Sequence, residues 1–231
     1  MNILAFDTSG GFLSIGLQTD TGFFEENRSA GLRHSEHLLP SVQKLIEKAE
    51  LDFKTIDLII CSRGPGSFTG LRIGMSTAKG LGAGHGTPIV SVASLDIYAH
   101  DLGFFDGAVV PVLDARKKRY YSAVYFKGER KSDYLDISSS DLISMLNKYN
   151  RVLFTGPDCD LFLEDLDKSE QRPNFSIEHF NPRHGLSAAM MKLGEKIFNE
   201  RGADHESAGP LYIRLSDAEI IHSEKKNHDR C

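Results

Sequence analysis

Ile3-Leu4-Ala5-Phe6-Asp7-Thr8-Ser9-Gly10-Gly11 opens the chain, and Ala108-Val109-Val110-Pro111-Val112-Leu113-Asp114 opens its second half. Each is a strand-length apolar run stopped by an aspartate, and the first passes into a tight turn of small and hydroxyl residues. Outward from the first run, residues 12–18 alternate as a second strand and 22–28 form a weaker third. Between residues 35 and 50 the apolar side chains fall at Leu38, Leu39, Val42, Leu45, Ile46 and Ala49, the spacing of one helix face. A strand at 57–61, a helix at 69–84 and a strand at 88–92 follow. Beyond the second aspartate the order returns. Residues 119–126 alternate, 132–137 read as a weak strand, and 138–149 read as a helix with Ser140 or Asp141 as its cap. Residues 151–155 form a strand closed by Gly156-Pro157. After a poor helix or loop come a strand at 175–180 and a helix at 185–201.

Both halves therefore read β-β-β-α-β-α-β. Their identity is too low for a sequence repeat, but a shared element order over about 100 residues argues duplication. Three antiparallel strands followed by β-α units make a mixed sheet covered by helices. Two such halves facing each other predict an α/β protein with a duplicated actin-like (ASKHA, ribonuclease H-like) fold and a cleft between the first hairpins. The expected organisation is an N-terminal half at 1–104, a C-terminal half at 105–216, and a polar, frayed tail at 217–231.

Of the 231 residues, 40% are hydrophobic and 26% charged, the balance of a soluble globular protein. The longest apolar runs are strand-sized, far below the roughly 20 residues of a spanning helix. The start has no basic segment followed by a long apolar one, so a cytoplasmic protein without membrane attachment is expected. A net charge of −5 argues against a protein whose main task is gripping nucleic acid, and leaves room for a minor RNA role. Cys61, Cys159 and Cys231 lack metal-type spacing and read as free thiols of a reducing compartment.

Arg63-Gly64-Pro65-Gly66-Ser67-Phe68-Thr69-Gly70 joins a strand to a helix. Two readings are open: an anion nest built on Gly64 and Gly66 with a Ser67 or Thr69 hydroxyl, or a turn plus an N-cap. The lysine of a P-loop and the G-x-G-x-x-G spacing are both missing. In the following helix Gly70, Gly74 and Ala78 recur every four residues, and Gly80, Gly82, Gly84 and Gly86 follow. Glycine inside a helix costs up to about 1 kcal/mol, which the close approach of another backbone must offset. That backbone belongs to the chain's own sheet or to another subunit. On the second reading, a bulky residue at Gly74 abolishes association and leaves the fold intact.

Duplication places Asp7 and Asp114 across the cleft from each other, where ATP-using proteins of this architecture organise Mg²⁺. The first hairpin keeps the small hydroxyl residues Thr8 and Ser9. The second, Asp114-Ala115-Arg116-Lys117-Lys118-Arg119, has neither glycine nor hydroxyl, so ATP hydrolysis by the chain alone is not expected. Arg116, Lys117, Lys118 and Arg119 read as a solvated turn, or as a contact to RNA phosphate or an acidic partner. His34 and His37, three residues apart, read as polar helix-start residues rather than metal ligands, and no metal site is expected.

Several of these segments together resemble the TsaB (YeaZ) family. The resemblance rests on Ile3-Leu4-Ala5-Phe6-Asp7-Thr8-Ser9, on His37-Leu38-Leu39-Pro40, and on the stretch from Gly64 through Thr69-Gly70-Leu71-Arg72-Ile73-Gly74. Weaker matches are Asp114-Ala115-Arg116 and Pro210-Leu211-Tyr212-Ile213-Arg214, so the likeness is dense over residues 1–96 and thin beyond. It implies the duplicated actin-like fold and a scaffold role in making N6-threonylcarbamoyladenosine at adenosine 37 of tRNAs that read ANN codons. The implied partners are the catalytic subunit TsaD, the ATPase TsaE and a second copy of the chain, with tRNA reached through the complex. The first two helices would supply the partner contact, through His37, Leu38, Gly70, Gly74, Met75, Ala78 and Gly82. TsaD-type proteins carry a His-x-x-x-His metal pair where this chain has Ser94 and Tyr98, so the resemblance implies a metal-free, non-catalytic subunit. No cofactor is expected on the chain alone; ATP or ADP would lie at a shared interface. The alternatives are a free-standing ATP-dependent small-molecule kinase and a metallopeptidase.

Overall fold

β1 (Ile3–Asp7) is buried along its whole length. It has strands on both edges and helices on both faces, which is why its residues are continuously apolar. A computed structural model describes residues 1–31, 33–169, 172–182 and 186–214. After β1 come β2 (Phe12–Gln18), β3 (Phe23–Ser29), α1 (His34–Lys48), β4 (Leu58–Gly64), α2 (Phe68–His85), β5 (Ile89–Ala93) and α3 (Ser94–His100). The strands form a sheet in the order β3-β2-β1-β4-β5. The β1–β2 and β2–β3 pairs are antiparallel, and the β1–β4 and β4–β5 pairs are parallel.

The second sheet repeats this path. Its strands are β6 (Ala108–Asp114), β7 (Arg119–Ser122), β8 (Tyr125–Phe126), β9 (Glu129–Arg130) and β10 (Leu135–Ser138). Then come α4 (Ser139–Leu146), β11 (Arg151–Thr155), α5 (Cys159–Asp167), β12 (Ser176–Phe180) and α6 (Leu186–Arg201). The order is β10-β7-β6-β11-β12, with β8 paired to β6 and β9 to β8. Strand directions match those of the first sheet pair for pair. This is the duplicated actin-like fold expected from the element order.

Three apolar clusters hold the layers together, the middle one spanning both sides of α3 and α6. Leu4, Phe6, Ile15 and Ile59 pack on one face of the first sheet against Leu38, Val42 and Leu45 of α1 and Met75 and Ala78 of α2. Ile3, Ile60, Val90 and Val92 on its other face meet α3, α6 and the second sheet's Val109, Leu113 and Leu153. Val110, Val112 and Phe154 cover α4 and α5, where Phe162 sits edge-on to Tyr120 at 5.1 Å. Among the described residues no helix is long and apolar enough to cross a membrane.

Some local expectations need correction. α3 has no counterpart in the sequence reading, because Leu95, Ile97, Tyr98 and Ala99 are all buried and leave no polar stripe. Residues 119–126 divide into β7 and β8, which pair with opposite ends of β6. The α4 cap is Ser138, whose Oγ accepts from the Asp141 amide at 3.2 Å, rather than Ser140 or Asp141. The segment read as a poor helix or loop holds α5. Gly185 and the tail at 217–231 lie outside the described residues.

Candidate functional site at the strand ends

The carboxyl ends of β1, β4, β6 and β11 carry the turns where this class of sheet places its ligands. At the first hairpin the Ser9 amide donates to Asp7 Oδ1 at 2.7 Å. The Thr8 amide donates to Ser62 Oγ at 3.3 Å, and Thr8 Oγ1 donates to the Gly70 carbonyl at 2.8 Å. The glycine-rich loop closes on the same residues. The Ser67 amide donates to the Ser9 carbonyl at 2.7 Å, and Ser67 Oγ caps α2 by accepting from the Gly70 amide at 3.2 Å.

A Cβ added at Gly66 would overlap the Ser9 carbonyl oxygen. One at Gly70 would overlap the Thr8 carbonyl oxygen, and one at Gly74 would overlap Thr8 Oγ1. Of the two readings of this loop, the turn plus N-cap describes its internal bonding: Ser67 caps α2, and Thr8 and Ser9 pack against Gly66, Gly70 and Gly74. Thr69 stands exposed on the first turn of α2.

The helix residues expected at a partner contact pack largely within the chain. Gly70, Gly74, Met75, Ala78 and Gly82 are the buried side of α2, and Leu38 is 1% exposed in the core beneath α1. Gly82 faces the Thr87 carbonyl and Ile89. The backbone that approaches the stripe is the chain's own. His37 is half-buried, with Nδ1 3.1 Å from Arg28 Nη1. His34 is buried, with Nε2 2.8 Å from the Gly10 carbonyl, which ties the start of α1 to the first hairpin.

At the second hairpin Asp114 Oδ1 accepts from the Arg116 amide at 2.7 Å, and Oδ2 pairs with Arg116 Nη1 at 3.2 Å. Arg119 Nε pairs with Asp136 Oδ1 at 2.6 Å while its side chain stays 42% exposed. Arg116, Lys117 and Lys118 all hold positive φ, at 64°, 57° and 58°. Left-handed backbone costs a residue with a Cβ about 1–2 kcal/mol. The turn closes through the Arg119 amide to the Arg116 carbonyl at 3.1 Å.

The sequence reading missed Asp158, which precedes α5 and accepts from the Asp114 amide on Oδ2 at 2.7 Å. Nothing in its spacing marks it; only the convergence of the β6 and β11 ends does. Burial, then the Asp114 carboxylate, raises the Asp158 pKa above the ordinary value. Tyr98 lies buried between the halves, and burial followed by the charges of Asp7 and Asp158 raises its hydroxyl as well. Ser94 is fully buried at the start of α3 and Tyr98 is 5% exposed.

A raised carboxyl pKa means that the folded state binds the proton more tightly than the unfolded chain. Asp158 thus contributes stability below its unfolded pKa, and that contribution is lost as pH rises through the folded value. Asp158→Asn keeps an acceptor for the Asp114 amide. Its thermal midpoint is expected above the parent's at pH 7, with the gain shrinking as pH falls toward 4. A gain that grows on acidification would contradict the assignment.

Over 236 aligned positions, 33% of residues are identical to the Bacillus subtilis (strain 168) tRNA threonylcarbamoyladenosine biosynthesis protein TsaB, covering 97% of this chain and 100% of that protein. The chain belongs to the TsaB family. A relative of the same name from Escherichia coli (strain K12) is 34% identical over 131 residues, 56% of this chain and 57% of that protein. A family model described as "TsaD: tRNA N6-adenosine threonylcarbamoyltransferase" matches residues 28–204. A solved structure described as YeaZ from Pseudomonas aeruginosa superposes with a TM-score of 0.73 at 21% identity, over 92% of this chain and 99% of that one. At that identity the likeness is one of fold. The TsaB likeness extends through the second half, where the sequence motifs were thin.

Proposed function

We propose that this chain is the non-catalytic scaffold subunit of the machinery that builds N6-threonylcarbamoyladenosine at position 37 of tRNAs reading ANN codons. It pairs in the cytoplasm with a metal-binding TsaD-type catalytic subunit and works beside a TsaE-type ATPase. Together they support transfer of threonylcarbamoyl from threonylcarbamoyl-AMP to the adenosine. The observation that carries this reading is the end-to-end likeness to the B. subtilis protein. The strand ends support a scaffold rather than an enzyme. The Ser67 and Gly70 amides are bonded within the chain, so neither is offered to a terminal phosphate. The second hairpin presents cations in place of a glycine cradle. The same features weigh against a free-standing kinase, and a serine and a tyrosine at positions 94 and 98, in place of a histidine pair, weigh against a metallopeptidase. ATP or ADP, in this reading, belongs to an interface shared with the partner.

The contact with the TsaD-type subunit, or with a second copy, runs through the outward face of α1 and α2. Leu39 is 50% exposed on α1, and a Cβ added at Gly80 or Gly84 on α2 would meet nothing within 4 Å. Reconstitution tests the assignment. With the TsaD-type and TsaE-type proteins of the same cell and supplied threonylcarbamoyl-AMP, omission of this chain is expected to abolish modification of tRNA. Undiminished modification without it would overturn the reading.

A further inference from the structure

Met75, Lys79, Gly82 and Gly86 follow one another at helical spacing and share one side of α2. Gly86 ends the helix in left-handed backbone at φ 71°, and the chain reverses through Thr87 and Pro88 into β5. A Cβ added at Gly82 would overlap Ile89 and the Thr87 carbonyl oxygen, so glycine there lets this turn fold back close to the helix. The segment that follows α6 passes the same place. Its Asp204 amide donates to the Ile89 carbonyl at 2.8 Å, and Asp204 Oδ2 accepts from the Ser91 amide at 2.8 Å. Lys79 Nζ donates to the Glu206 carbonyl at 2.7 Å. Helix, turn and returning segment enclose a cavity of about 390 Å³. Its lining is mostly apolar, supplied by Met75, Ala83, Pro88, Ile89, Ala203 and Ala208.

We propose that this cavity binds a small carboxylate with an apolar body. The charge of the ligand follows from Lys79, which lines the cavity and is half-buried. Among the described residues no carboxylate pairs with it. Its bond to Glu206 runs to a neutral carbonyl, and an ammonium has further donors to direct at a ligand. The acids nearby do not take the place of that ligand. Asp204 Oδ2 is held by the Ser91 amide and hydroxyl, and Oδ1 faces Arg201 Nη2 at 3.6 Å. Glu206 is exposed, where water screens its charge. His205 Nδ1 lies 2.8 Å from Ser207 Oγ. A bound carboxylate would accept a charge-assisted bond from Lys79 while its apolar body removes Met75 and Ile89 from water. The size suits such a molecule, since small-molecule sites span about 300–1,000 Å³. The walls are also tied to each other by backbone hydrogen bonds before any ligand arrives, which lowers the ordering cost of binding. Every group used belongs to this one chain, so the site stands or falls separately from the scaffold reading.

Calorimetric titration of the full chain with octanoate, octanol and octylamine, which share a tail and differ in the head, tests the proposal. Octanoate is expected to bind at one site per chain, roughly tenfold tighter than octanol, with octylamine the weakest. Lys79→Gln keeps a donor for the Glu206 carbonyl. It is expected to lower octanoate to the affinity of octanol and to leave octanol unchanged. Ala83 lines the cavity and is exposed, so Ala83→Trp places an indole there without displacing core side chains. That variant is expected to keep the parent's thermal midpoint and to lose both octanoate and octanol. Absence of saturable octanoate binding, equal affinity for octanoate and octanol, or a preference for octylamine would each overturn the assignment. Parent-like octanoate affinity in a folded Ala83→Trp chain would overturn it as well. Should Ala83→Trp fail to fold, Lys79→Gln decides alone, by loss or retention of the octanoate preference.

Discussion

Gly70→Val should unfold this protein rather than loosen an assembly. A Cβ at that position meets the Thr8 carbonyl oxygen, a backbone atom that cannot rotate away. Thr8 is itself pinned, by its hydroxyl to the Gly70 carbonyl at 2.8 Å and by its amide to Ser62 at 3.3 Å. Relief therefore requires the first hairpin and α2 to part, which breaks the Ser67–Ser9 bond and opens the core below. Overpacking of a tight interior typically costs about 1–3 kcal/mol, and a branched side chain against fixed backbone lies at or beyond the upper end. Against a total stability of about 5–15 kcal/mol, that loss moves the urea midpoint far down. Gly80→Ala on the same helix is the control. Its Cβ meets nothing within 4 Å, and it is expected to be neutral or stabilising by up to about 1 kcal/mol. A Gly70→Val protein with the parent's midpoint and lost association would restore the intersubunit reading of the stripe.

A chain ended at residue 182 is expected to lose the whole fold, the first half included. The last helix of the sequence, α6, packs on the first sheet: Leu186, Ala189, Met190 and Met191 join Ile3, Ile60 and Val90 in the middle apolar layer. Ser187 Oγ also hydrogen-bonds the Glu25 carboxylate of β3. Burying one leucine or methionine side chain contributes about 1.5–3 kcal/mol. Three such residues contribute about 5–9 kcal/mol, comparable with the stability of an entire domain. Circular dichroism and a thermal melt of the shortened chain should show no cooperative transition. A cooperative melt near the parent's temperature would show that the first sheet does not depend on α6.

What could be read from residue order alone follows from which physical rules are local. β1 and β6 were legible because a strand buried on both faces is a short apolar run, and the aspartate closing each run marks its end. The glycine stripe of α2 was legible as a demand for close approach, since glycines every four residues in a helix serve little else. α3 was not, because a helix buried on several sides has no polar stripe to give its period away. Asp158 was one of 32 acidic residues with no distinguishing neighbours, and became notable only where β11 ends beside Asp114. Arg119 looked like its three basic neighbours until the fold paired it with Asp136.

By itself the sequence determined the twofold order of elements, the family likeness and the absence of glycine from the second hairpin. Each is carried by neighbouring residues or by the spacing of side chains along one element. Only the tertiary structure decided that Thr8 fills the stripe, that α6 closes the first sheet, and that the segment after α6 closes a cavity against α2. Those contacts link residues 62 to 162 positions apart, and no local period records which distant segment will arrive.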